Sequence, residues 1–133
     1  MEVVVVNRAR DWLAQAERDV GLAQQAAESG RHEWACFASQ QAGEKAIKAL
    51  HQHLGQEVWG QVLTRLLGEL PDSMAPPDEM VEWARILDLY YIPARYPNSH
   101  AEGAPFEHFG PLQSREAIRY AGEIIGFVST QMA

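Results

Sequence analysis

WACFASQQAGEKAIKAL, residues 34–50, carries Ala35, Ala38, Ala42, Ala46 and Ala49 at intervals of three or four, with Trp34, Phe37, Ile47 and Leu50 widening the stripe. That interval is the helical period. Apolar residues lie on more than one side, so this helix needs neighbours on several flanks, and the alanines let a partner backbone come close. It reads as the central helix of a bundle. Gln40, Gln41, Glu44, Lys45 and Lys48 share the remaining arc, where Glu44 and Lys48 make a favourable i,i+4 pair. Charged groups mostly face water, so this arc reads first as the wet face.

Upstream, Asn7 is a good N-cap residue, and Ala9, Trp12, Leu13, Ala16, Val20, Ala23 and Ala27 keep the helical spacing up to Gly30. Gly30 suits the left-handed residue past a helix end, and the short link that follows implies antiparallel neighbours. Gly55 closes the central helix in the same way, after a tail that holds His51 and His53. Downstream, Val58 to Leu70 predicts a third, shorter helix with Val62, Leu63, Leu66, Leu67 and Leu70 on one side, stopped by Pro71. Pro76, Pro77, Asp78 and Glu79 start a fourth, which Met80, Ala84, Leu87 and Tyr91 carry to Ile92. From Pro93 to Pro111, four prolines, two glycines, two histidines and Arg95 make a long irregular connection of the kind that often carries function. Gly110, Pro111 and Ser114 open the last helix, in which Ala117, Ile118, Ala121, Ile124, Ile125 and Val128 repeat at helical spacing. The expectation is an all-α, antiparallel up-and-down helical bundle of four long helices plus one short helix. One domain spans residues 7–133, behind an N-terminal extension, residues 1–6, whose β-branched run Val3 to Val6 has no obvious partner strand.

A chain of 133 residues is large enough to bury a core without staples. Its net charge of -7 argues against a monomer that grips duplex nucleic acid through a broad basic surface, though not against a local RNA site. The lone Cys36 makes no internal disulfide and fits a small buried hydrophobe in a reducing cytoplasm. No run reaches the length a membrane span needs. Glycine-rich phosphate loops and zinc-type Cys/His spacings are missing, so neither a metal nor a cofactor is expected. His51 and His53 are two apart and point to different sides of a helix, which makes them a poor metal pair and better surface histidines. Ser39 and Cys36 are nucleophiles by type only, and both fit packing positions. Trp12, Trp34, Trp59 and Trp83 read as core or interface residues.

ARYPNSH, residues 94–100, is the remaining chemical signal. An arginine and a histidine on one proline-bracketed loop pair a fixed positive charge with a group that titrates near neutrality. Such a pair suits a phosphodiester: the histidine moves a proton at a ribose hydroxyl, and the guanidinium stabilises the charge that builds on phosphorus. With nine arginines and five histidines in the chain, an arginine shortly followed by a histidine arises about once by chance. The structural alternative has Arg95 tying the loop to a carboxylate, Asp88 or Glu44, with His100 solvated. His108 has no evident partner.

The segments AERDVGLAQQAAESGRHEWACFASQQAGEKAIKALH, LLGEL and LDLYYIPARYP together resemble the prokaryotic HEPN domains, over almost the whole chain from Asn7 onward. The resemblance implies a helical bundle that commonly forms a homodimer or higher homo-oligomer. Many members sit beside a minimal nucleotidyltransferase in pairs similar to toxin–antitoxin systems. Ribonuclease members use an arginine and a histidine a few residues apart, without metal and across a dimer. By that resemblance, the Arg-x4-His pattern here would have Arg95 on the phosphate, His100 as acid or base, and Asn98 assisting. Glu102 stands where modified toxins carry a tyrosine, and Gln61 stands where relatives with the ARYP form often have a histidine. The chain therefore reads as a dimeric partner of a nucleotidyltransferase or a nucleotide-binding module, with Lys45, Lys48, Arg95 and Tyr96 around the cleft. A metal-independent endoribonuclease is the alternative.

Overall fold

The computed structural model describes residues 7–133, and the N-terminal extension lies outside the described residues. Five α-helices run in order: α1 (Ala9–Glu28), α2 (His32–His53), α3 (Leu63–Gly68), α4 (Asp78–Asp88) and α5 (Pro111–Met132). Among the described residues there is no strand.

The α1–α2 hairpin is built by one glycine. Gly30 sits at φ +79°, its N–H bonds to Ala27 O, and Arg31 N–H reaches back to Ala26 O at 2.8 Å. This 6→1 closure needs a left-handed residue, which glycine adopts without strain. Gly55, at φ +75°, ends α2 by the same device, with Gln56 N–H on His51 O. Between the two helices, Ala23 and Ala26 of α1 meet Ala35 and Ala38 of α2 in an alanine seam that lets the backbones approach closely. The N-cap position of α1 is Arg8 rather than Asn7, and Asn7, one residue further out, accepts from Ala9 N–H through Oδ1 at 2.8 Å.

As expected from apolar residues on more than one side, α2 is the central element: thirteen of its 22 residues are buried. It packs against α1, α3, α4 and α5. Ile47, Leu50, Leu63, Leu66, Leu87 and Ile124 form the middle of the core. Gly43 lies where α2 faces α3, α4 and α5. A Cβ there would stand 2.6 Å from Leu63 Cδ2 and 3.6 Å from both Ile124 and Leu87, so only a hydrogen fits without repacking.

The structure corrects several expectations. The third helix starts at Leu63 rather than Val58 and has six residues. It has no local cap; Asp88, at the end of α4, accepts from Leu63 N–H at 2.6 Å, Thr64 N–H at 3.2 Å and Thr64 Oγ1 at 2.9 Å. A carboxylate at a helix N-terminus satisfies donors that would otherwise be orphaned. Asp88 is therefore committed to α3 and is not the partner of Arg95. The fourth helix ends at Asp88, four residues before Ile92, because the chain tightens into i→i−3 bonds, Leu89 to Ile86 and Tyr90 to Leu87, as it runs toward Pro93.

Gln40 is not on a wet face. It is fully buried and donates Nε2–H to Gln61 O at 3.0 Å, which ties the segment before α3 to the central helix. His51, expected at the surface, is also fully buried; Nε2 donates to Leu66 O at 2.8 Å, and Nδ1 lies 3.0 Å from the Gln56 amide oxygen. Its place one turn past Ile47 puts it on the apolar stripe, where its two ring nitrogens find partners. Trp59 is 84 % exposed and Trp34 49 %, so neither is a core residue of this chain, whereas Trp83 stacks on Tyr120 at 5.6 Å.

Candidate functional site

The chain between α4 and α5 returns across the face of α2 and brings its one arginine onto three aromatic rings. Arg95 places its guanidinium carbon 4.5 Å from the Phe37 ring centre, 4.6 Å from Tyr91 and 5.1 Å from Tyr96. Its Nε–H donates to Tyr91 O at 2.7 Å, so the side chain folds back on its own turn. Among the described residues the terminal guanidinium nitrogens have neither hydrogen bond nor ion pair. Glu44, the other carboxylate expected for Arg95, pairs instead with Lys48 at 3.1 Å.

His100 is half-buried on the same loop and donates Nε2–H to Pro93 O at 2.7 Å. Its ring stacks face to face with His108, 4.1 Å between centres and 3° between planes, with Phe109 edge-on. His108 in turn donates to Glu102 O at 2.6 Å. The two histidines thus staple the loop to itself. Among the described residues, no hydrogen bond joins Arg95 to His100. Asn98 stands exposed in the short 3₁₀ helix Pro97–Ser99.

Beside Phe37 lies a groove of about 520 Å³ between the second half of α1 and the first half of α2. Its walls are Leu22, Ala26, Trp34, Phe37 and Ala38, with Arg31 and the pair Lys45–Asp19 (2.5 Å) as its charged groups. Trp34 and Phe37 meet edge to face at 6.0 Å, and Phe37 continues into Arg95 and Tyr91. The volume is in the range of small-ligand and side-chain pockets. Of the predicted cleft residues, Lys45 lines this groove, while Arg95 meets it only through the Phe37 ring and Tyr96 only through Arg95. Lys48 does not: its ammonium stands 5.9 Å from the Trp12 ring and lines a different crevice, with Gln52 and Trp59.

Sequence reasoning missed Phe37 and Tyr91 as supports of Arg95. The signal for Phe37 was its place at the edge of the alanine stripe; Tyr91 had none, because no local pattern announces the early end of α4. Ser39, read as a packing residue, is buried and donates to Ala35 O at 2.8 Å. Cys36 is buried, and burial, aided by the Glu33 charge, pushes its thiol from 9.0 up to about 12. Tyr90 is likewise raised from 10.0 to about 12, first by burial and then by Cys36, Glu116 and Tyr120. Neither group offers a nucleophile at neutral pH. Among the described residues, no three His, Cys, Asp or Glu side chains converge as metal ligands, and no helix is long and apolar enough to cross a membrane.

No curated protein matches the chain. Among solved structures it is similar to TT1696 from Thermus thermophilus, with 44 % identity, a TM-score of 0.93, and coverage of 95 % of this chain and 99 % of that one. ST0689, an archaeal HEPN homologue, is 39 % identical with a TM-score of 0.82, over 96 % of this chain and 100 % of that one. A HEPN domain protein of Thermotoga maritima is 32 % identical with a TM-score of 0.74, over 90 % and 95 % of the two chains. The HEPN domain family itself matches residues 9–131, and with the shared helical bundle it gives the chain its place: the chain belongs to the HEPN domain family.

Proposed function

We propose that this chain is a non-catalytic HEPN binding module that acts as a dimer with a nucleotidyltransferase-type partner, in a toxin–antitoxin-like pair. One observation carries the reading. Arg95 and His100, the two side chains a ribonuclease would need free, each donate to a carbonyl of their own loop, Tyr91 O and Pro93 O, both at 2.7 Å. A side chain that holds the loop in shape is poorly placed to transfer a proton within it. Affinity purification of the tagged chain from native lysate, with mass spectrometry, is expected to retain a nucleotidyltransferase. Its absence counts against the reading.

The endoribonuclease reading keeps two supporting observations: the terminal nitrogens of Arg95 make no hydrogen bond or ion pair among the described residues, and exposed Asn98 shares its loop. A phosphate, of RNA or of a nucleotide, would meet Arg95 and Tyr96 there, with Lys45 two turns further along α2. RNA cleavage in the presence of a chelator separates the two. We expect intact RNA from the wild-type chain; cleavage that disappears in His100→Ala establishes the nuclease instead.

A further inference from the structure

Among the described residues, the groove between α1 and α2 forms a wide opening with an apolar floor. Leu22 is 58 % exposed and Trp34 49 %, side by side with half-buried Phe37. Leucine and tryptophan left open on facing helices cost free energy unless something covers them. Two guanidiniums flank this strip. Arg31 lines the groove one turn before Trp34, and Arg95, outside the lining itself, lies over the ring of Phe37, which does line it. Among the described residues neither is in an ion pair, whereas Lys45 is neutralised by Asp19 and Lys48 by Glu44. On a chain of net charge -7, this strip is apolar with positive ends.

That combination selects its occupant. A polyanion carries a charge at every unit, which the net charge of -7 opposes and two unpaired guanidiniums do not balance, and the Leu22, Ala26 and Ala38 floor offers base edges no hydrogen bonds. An amphipathic peptide with isolated carboxylates satisfies both parts, since its apolar side chains cover the floor and its acids meet the unpaired arginines. Trp and Arg are also the residue types that dominate protein-interface energetics.

We propose that the α1–α2 groove receives an amphipathic, acid-bearing segment of a partner protein, its apolar side chains against Leu22, Trp34 and Phe37 and its carboxylates on Arg31 and Arg95. The inference names the docking surface of the binding module and rests on that reading.

The test is an mRNA-display selection of random peptides of about fourteen residues, roughly four helical turns, on the full wild-type chain. Enriched sequences are expected to carry leucine or aromatic residues at helical spacing together with Asp or Glu. Their binding, read by Trp fluorescence, is expected to fall about tenfold or more in Leu22→Asp and in Arg31→Glu. Both residues are exposed, so folding is preserved, which circular dichroism checks. Arg31→Glu should in turn prefer the same peptide with Lys in place of its acid.

Basic or unpatterned winners, no winners, or binding indifferent to both variants overturns the assignment. So does a loss of self-association in Leu22→Asp, because the groove would then be covered by a second copy of this chain. A nucleotidyltransferase retained equally by wild type and Leu22→Asp sinks the groove assignment and leaves the binding module standing. Its absence from the wild-type pull-down strikes the module reading itself.

Discussion

Arg95 and Phe37 meet face on, guanidinium carbon to ring centre at 4.5 Å, and this contact anchors the loop after α4 onto the central helix. A planar guanidinium stacks on a ring and a compact ammonium does so less well. Arg95→Ala is expected to lower stability by about 1–2 kcal/mol, with Arg95→Lys recovering less than half. Urea denaturation of both variants and of Phe37→Ala checks this, and the double variant should lose less than the sum of the singles. Strict additivity would show that the contact carries no energy.

Asp88 should behave as a helix cap that happens to lie in another helix. Asp88→Ala is expected to cost about 1–2 kcal/mol, the usual range for a lost cap, and Asp88→Asn less because one acceptor survives. Hydrogen exchange locates the effect: amides of Leu63 and Thr64 should lose protection first, while those in the middle of α5 keep theirs.

The raised pKa values of Cys36 and Tyr90 predict an alkaline limit to stability. Both groups hold their protons longer folded than unfolded, Cys36 at about 12 against 9.0 and Tyr90 at about 12 against 10.0. Below pH 9 each is protonated in both states, so stability is fully present. As pH rises from 9 toward 12 the unfolded chain loses protons first, and stability falls. Denaturant midpoints at pH 8, 9.5 and 11 on this window should decline, and Cys36→Ala should flatten the earlier part of the decline. The native thiol should also resist alkylation at pH 8 until denaturant is added.

The two histidines at the end of α2 should separate sharply. His51→Ala removes a buried ring and leaves Leu66 O without its donor, a loss of about 2–4 kcal/mol. His53→Ala, on an exposed side chain, should change stability by no more than about 0.5 kcal/mol. Thermal melts of both variants make the comparison, and equal shifts would refute the buried role of His51.

The helical period along α1, α2 and α5, the glycines that close α1 and α2, and the proline-rich break after α4 were all legible in the chain, because each depends on residues within a turn or two of one another. Period and caps are local physics. The same reading put Gln40 on a wet arc and His51 at the surface, since composition alone assigns polar groups outward and says nothing of Gln61 O or Leu66 O, 21 and 15 residues away, that receive their hydrogen bonds. It also offered Asp88 to Arg95, while the fold commits that carboxylate to the bare N-terminus of α3.

By itself, the sequence determined an all-α bundle around an alanine-rich central helix, a buried inert cysteine, and a loop bearing Arg95, Asn98 and His100. Tertiary structure alone decided what those loop residues touch. Whether a guanidinium faces a carboxylate, an aromatic ring or open solvent depends on which helices cross beside it, and that is settled by close packing of side chains far apart in the chain. Hence Arg95 came to rest on Phe37, 58 residues earlier, with Leu22 and Trp34 forming an open apolar groove at its side.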